Sequence, residues 1–227
     1  MTTLTRSTRS DRLAMHAVDL YWLPVGAGAQ VARRCVPMYE AVVAAREHRE
    51  PCDLYHAALQ VHLDGVRYVI ESAPVWDRPE PDRGVVCEGP VGMRWLGRSK
   101  WFRYEVRRWR NGLIPDVVYA VDSPRTVSRD RHSAQRVLNL APDFPALTWG
   151  RDELTTGDMW NSNSLVAWLL VRSGHDIDAI TPPAGGRAPG WTAGVIAARR
   201  AMTPQAANDH LSPTRPLVTD RSEPPWV

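Results

Sequence analysis

Cysteine, phenylalanine and lysine are all scarce in this chain of 227 residues. The three cysteines (Cys35, Cys52 and Cys87) are an odd number and lack C-x-x-C spacing. That argues against a disulfide framework and against a thiolate zinc site, so a reducing, cytoplasmic setting is the simplest expectation. No cofactor and no metal are expected, since His16, His48, His132, His175 and His210 show no ligand spacing either. Long apolar runs are missing too. The longest, Leu165 to Val171, falls far short of the roughly 20 residues a membrane span requires. Met1 to Arg12 is mostly Thr, Ser and Arg and does not read as a basic-then-apolar leader. A net charge of +3 is too small to imply a nucleic-acid partner by itself.

What is present is a globular composition: 44% hydrophobic and 23% charged, enough for one sizeable core. Tryptophan is abundant at 10 residues, and buried indoles need a partner for N–H, so a core with polar seams is expected. Residues 1–12 read as a flexible arm without hydrophobic period. Residues 203–227, with Pro204, Pro213, Pro216, Pro224 and Pro225, read as a Pro-rich disordered tail. Residues 13–202 are then a single domain.

Inside that domain the pattern predicts strands over Ala14–Leu23, Tyr55–Leu63, Val66–Ala73, Trp101–Trp109 and Val117–Val121. It predicts helices over Met38–His48 with Pro37 at the first position, Ser128–Leu140 with a Ser cap, Trp160–Ser173 capped by Asp158 and ended by Gly174, and Trp191–Ala201. Strands precede most helices, which argues for α+β: a small antiparallel sheet packed on a buried helix.

Asp64-Gly65 is a two-residue hairpin signal, and it makes the register calculable. Leu63 pairs with Val66, His62 faces Arg67, Ala58 faces Glu71, and His56 faces Ala73. One face carries Ala57, Leu59, Val61, Leu63, Val66, Tyr68 and Ile70, a core face. The other carries His56, Ala58, Gln60, His62, Arg67, Val69 and Glu71. His56 and Glu71 become diagonal neighbours there, where a carboxylate can orient an imidazole. The competing reading is a solvated surface pair.

The segment Trp160-Asn161-Ser162-Asn163-Ser164 opens a helix that is apolar almost all round beyond its first turn, hence buried. The unpaired N–H groups and dipole of such a first turn suit a nucleophile and an oxyanion. Plain capping by Asn and Ser explains the same residues.

Together these segments resemble the circularly permuted NlpC/P60 papain-like superfamily, including the lecithin:retinol acyltransferase-like, H-rev107-like and PPPDE (DeSI-like) proteins. Tyr55-His56-Ala57-Ala58 is similar to the family's histidine strand. Val69-Ile70-Glu71-Ser72-Ala73-Pro74 is similar to the strand bearing its orienting polar residue, and Asn161-Ser162-Asn163-Ser164-Leu165-Val166 to its nucleophile helix. The resemblance implies a permuted papain-like fold over about residues 14–175, with catalytic Ser162, His56 and Glu71. Asn161, Asn163 and Arg187 are candidate substrate-binding residues. The family's nucleophile is Cys, whereas this chain has Ser162, which needs His56 as a true general base. Two functions stay open: an acyl-transfer enzyme (hydrolase or acyltransferase) acting on a peptide, lipid or acyl small molecule, and a catalytically silent module binding a peptide, lipid or cell-wall fragment in the same cleft.

Three further segments are weighed. Gly26-Ala27-Gly28 lacks the third glycine and acidic partner of a dinucleotide loop and reads as a plain loop. Arg94 to Arg110 interleaves basic residues with Trp95, Trp101 and Trp109, which suits a nucleic-acid or anionic-lipid surface and makes an anionic-surface binder a third, weaker function. Within Trp101–Trp109, though, a half-buried strand with a solvated Arg face explains the alternation. Pro182 to Gly190 reads as a surface connector able to close over a cleft.

Overall fold

The Asp64-Gly65 turn has positive φ at both residues, 51° and 75°, as a type I′ hairpin needs. It joins two strands of an open sheet in an α+β chain. The computed structural model describes residues 15–26, 40, 41, 43–75 and 82–203. The sequence-based expectations for the arm 1–12, for Gly28, for Pro37 at a helix start and for the tail beyond residue 203 lie outside the described residues.

The strands are β1 (Ala17–Pro24), β2 (Asp53–Leu63), β3 (Val66–Pro74), β4 (Val85–Pro90), β5 (Arg103–Arg110), β6 (Val121–Ser128) and β7 (Gly186–Arg187). Six of them lie in the order β4-β5-β3-β2-β1-β6, and β7 pairs with β2. All neighbours are antiparallel except β7, which runs parallel to the start of β2. The helices with complete bounds are α1 (Arg131–Leu140), α2 (Ser162–Arg172) and α3 (Trp191–Met202), and residues 40, 41 and 43–46 are also helical. Among the described residues no helix is long and apolar enough to cross a membrane.

The calculated register holds from Leu63↔Val66 through His62↔Arg67 to Leu59↔Ile70 and stops there: the expected pairs Ala58↔Glu71 and His56↔Ala73 do not form, because the two strands part. The predicted core face is the core face: Ala57, Leu59, Val61 and Ile70 are wholly buried against Leu165, Val166, Leu169 and Leu170 of α2. Helix α2 is buried from Ser162 to Val171, as its all-round apolar pattern predicts. The opposite face is not solvated where the sequence placed the His–Glu pair. Ala58 and Val69 are fully enclosed there with Tyr21, Leu23 and Ile114.

Several local expectations are corrected. Val117–Tyr119 is a 3-10 turn, and the strand begins only at Val121. Helix α1 starts at Arg131, because Asp130 rather than Ser128 accepts from the Ser133 N–H. Helix α2 is capped by Asn161, not Asp158. Asp158 instead accepts from the N–H groups of Gly190 and Thr192, at the start of α3. Strand β5 does alternate, with Tyr104 and Val106 buried, but Glu105 and Arg107 on its other face are completely enclosed too. The indole N–H of Trp168 finds no hydrogen-bond partner among the described residues. Phe144 meets its ring edge-on and the Arg172 guanidinium lies over it.

Candidate functional site

Strand β2 is longer than its hairpin partner can follow. Its ladder with β3 ends at Leu59↔Ile70, whereas β3 continues along β5 from Glu71↔Arg107 to Pro74↔Tyr104. The first residues of β2 keep β1 on one side, through His56↔Leu23 and Tyr55↔Pro24. On the side that β3 has left, two substitutes fill the edge. β7 pairs at Asp53↔Gly186 and Leu54↔Arg187. The Asn163 side chain takes the next position: its Oδ1 accepts from the Ala57 N–H at 2.7 Å, and its Nδ2 donates to the Tyr55 carbonyl at 2.9 Å. One amide thus completes the backbone bonding on both sides of His56, where orphaned groups would otherwise be costly.

That clasp fixes α2 to β2 and sets the central contact. The Nδ1 atom of His56 lies 2.8 Å from the Oγ of Ser162, across 106 residues of sequence. Ser162 is the first residue of α2 and is 5% exposed. The Asn161 side chain caps the helix by accepting from the N–H groups of Asn163 and Ser164, and Ser164 Oγ accepts from the Asn161 N–H in return. The Ser162 N–H is the first-turn donor that this cap does not use. Asn161 and Asn163 both donate to the Pro189 carbonyl, which ties down the 182–190 connector. Gly190 makes the close approach possible. It has φ 91°, and a Cβ there would overlap the Asn161 side chain.

The split between β2 and β3 opens into a cavity of about 500 Å³. His56, Glu71, Ser72, Asn161, Ser162 and Asn163 all line it. The remaining wall is largely apolar, from Leu23, Val25, Leu54, Tyr55, Ala73, Pro74, Trp149 and Met159. His56 is half-buried by exposed area, yet it is crowded enough that loss of hydration pushes its pKa down to about 4. The imidazole is therefore neutral at physiological pH, and a neutral ring can accept a proton.

Glu71 is buried in the same lining, and Arg107 Nη1 donates to its Oε1 at 3.0 Å. Arg107 also donates through Nε to Glu105 Oε1 at 2.6 Å, and Arg83 donates through Nη2 to Glu105 Oε2 at 2.8 Å. Glu71, Arg107, Glu105 and Arg83 thus form a chain of alternating charge that runs away from the cavity. Arg187 is not brought to the site: it pairs with Glu47 at 2.5 Å and lies outside the cavity lining.

Chemically, the arrangement offers a hydroxyl whose proton can pass to a neutral imidazole, at a helix N-terminus that favours negative charge. Sequence reasoning missed the cavity's Trp149 and Met159, and it missed Arg107. Nothing local marks the first two, which come from a loop between α1 and α2. Arg107 sits in an alternating strand that reads as half-solvated. Compared with family models, with curated proteins and with solved structures, the chain matches none.

Proposed function

We propose that this protein is an acyl-transfer enzyme, a hydrolase or acyltransferase of the permuted papain-like kind, with serine as its nucleophile. The observation that carries this reading is the 2.8 Å contact between His56 Nδ1 and Ser162 Oγ at the mouth of a buried helix, facing an apolar cavity. Ser162 Oγ attacks the carbonyl carbon of an amide, ester or thioester, and His56 takes the hydroxyl proton. The Ser162 N–H and the α2 N-terminus face the oxygen on which negative charge develops. His56 then returns the proton to the leaving group, and water or a second acceptor releases the acyl chain from Ser162. Glu71, with Arg107 beside it, supplies a polar part of the cavity wall. The apolar lining favours an acyl donor with an apolar body.

A fluorophosphonate probe tests this without knowledge of the substrate. The expected result is labelling of the wild type that is lost in Ser162→Ala and in His56→Ala. A folded wild type that stays unlabelled, or labelling that survives in Ser162→Ala, overturns it.

One observation favours a second reading, a cleft that binds a peptide, lipid or cell-wall fragment without turning it over. Burial leaves His56 a weak base, and Glu71 is committed to Arg107. On that reading Ser162 and His56 are ligand hydrogen-bonding groups, and the probe labels nothing.

A further inference from the structure

Between β4 and β5 the chain makes two consecutive 3-10 turns, Arg94–Arg98 and Lys100–Phe102, and neither buries a residue. Their surface is unusual in two respects. Met93, Trp95, Trp101 and Phe102 are 45%, 66%, 62% and 43% exposed, which puts three large aromatics and a methionine in water within ten residues. No acidic residue lies between 93 and 103, while four basic ones do. Two of these are neutralised, Arg94 by Glu153 and Arg103 by Glu88. Arg98 and Lys100 have no acidic partner among the described residues, and Lys100 lies over the Trp101 ring, 5.6 Å from its centroid.

The patch is firmly seated. Pro90 and Gly92, at its root, bond to Trp149 in both directions: the Trp149 N–H donates to the Pro90 carbonyl and the Gly92 N–H to the Trp149 carbonyl. Gly97 packs so closely on Pro90 that a Cβ would crowd it. Trp149 is itself a wall of the cavity that holds His56 and Ser162. The exposed aromatics thus stand on a rigid base beside the cavity.

We propose that this patch is a docking surface for an anionic lipid bilayer. Amphipathic indoles beside unpaired cations suit the interfacial layer, where the rings lie among headgroups and the cations meet lipid phosphates. A nucleic acid fits less well. Its affinity rests on many phosphate contacts along a track, and this patch offers two unpaired cations on a short apolar knob. The inference does not rest on acyl-transfer chemistry, because docking is read without turnover.

The test is co-sedimentation of the full chain, as the Ser162→Ala variant, with vesicles of neutral phosphatidylcholine and of phosphatidylcholine with one quarter phosphatidylglycerol. The expected result is binding to the anionic vesicles only, weakened by 0.5 M salt. Arg98→Glu with Lys100→Glu lowers the partition coefficient by at least about tenfold, as two cations near a charged surface imply. Trp95→Ala with Trp101→Ala lowers it comparably, and because all four side chains are exposed, both variants stay folded by circular dichroism. Absence of wild-type binding to anionic vesicles overturns the proposal. So does binding that both double variants retain, or patch-dependent binding to single-stranded DNA where vesicles compete poorly.

Discussion

His56 carries the clearest consequence at the scale of a residue. Burial holds its folded pKa near 4, below the ordinary 6.5. The unfolded chain therefore takes up the proton first as pH falls. Between those two values the native state loses stability with falling pH, and above 6.5 the contribution is fully present. Urea unfolding at a series of pH values should show this slope in the wild type and a shallower one in His56→Gln. His175 is depressed by burial in the same direction, so the difference between the two proteins isolates His56. Reactivity follows the same group. The rate of fluorophosphonate labelling of folded protein should be flat from pH 8 to about 5 and halve near 4. A midpoint near 6.5 is incompatible with an enclosed imidazole acting as the base.

Asn163 makes the second prediction at this scale. Its truncation in Asn163→Ala orphans the Ala57 N–H and the Tyr55 carbonyl, and leaves the Pro189 carbonyl with Asn161 alone. The expected cost is about 2–4 kcal/mol in urea unfolding, a sum of lost hydrogen bonds and unsatisfied buried groups. Labelling should fall with it, because the same amide sets the distance from His56 to Ser162.

At the scale of elements, the start of α2 depends on the start of α3. Gly190 caps α3 with φ 91°, touches the Asn161 side chain that caps α2, and gives its own N–H to Asp158. Asp158 is buried enough that its pKa is raised despite four backbone N–H partners. Gly190→Ala strains a left-handed position and drives a methyl into the Asn161 amide. At least about 2 kcal/mol should be lost, with a larger drop in labelling than in stability, since the displaced cap carries Ser162. Hairpin register, the core face and the buried character of α2 were legible in the sequence because they follow from local rules: a two-residue turn, period-2 alternation and an unbroken apolar run. The cap of α2 was not. Asp158, Asn161 and Asn163 are all competent caps, and only the position of the 182–190 connector decides which N–H each one meets. His56, Glu71 and Ser162 could be named from the sequence. Their environment could not, because the widening between β2 and β3 beyond Leu59↔Ile70 depends on β5, β7 and α2 arriving from distant parts of the chain.

At the scale of the whole molecule, a chain of buried charge stands along the β3 side of the split sheet. Arg107 is 0% exposed and joins Glu71 on β3 to Glu105 on its own strand, with a further bond to the Pro74 carbonyl. A buried guanidinium between two carboxylates is costly to desolvate, so such a chain adds little net stability over apolar packing. Breaking it is expensive because the remaining charges lose their partner. Arg107→Ala should therefore cost about 3–5 kcal/mol. Replacing Glu71, Arg107 and Glu105 together by Met, Leu and Met should recover much of that loss, since the one charge that then loses Glu105, Arg83, is partly exposed. Labelling separates the two roles of the chain. If its purpose is to keep the Glu71 carboxylate in the cavity wall, the refolded triple variant stays poorly reactive although stability has returned. If the chain only props the cavity open, reactivity returns with stability. Urea midpoints and probe kinetics on the same pair of variants decide between these outcomes.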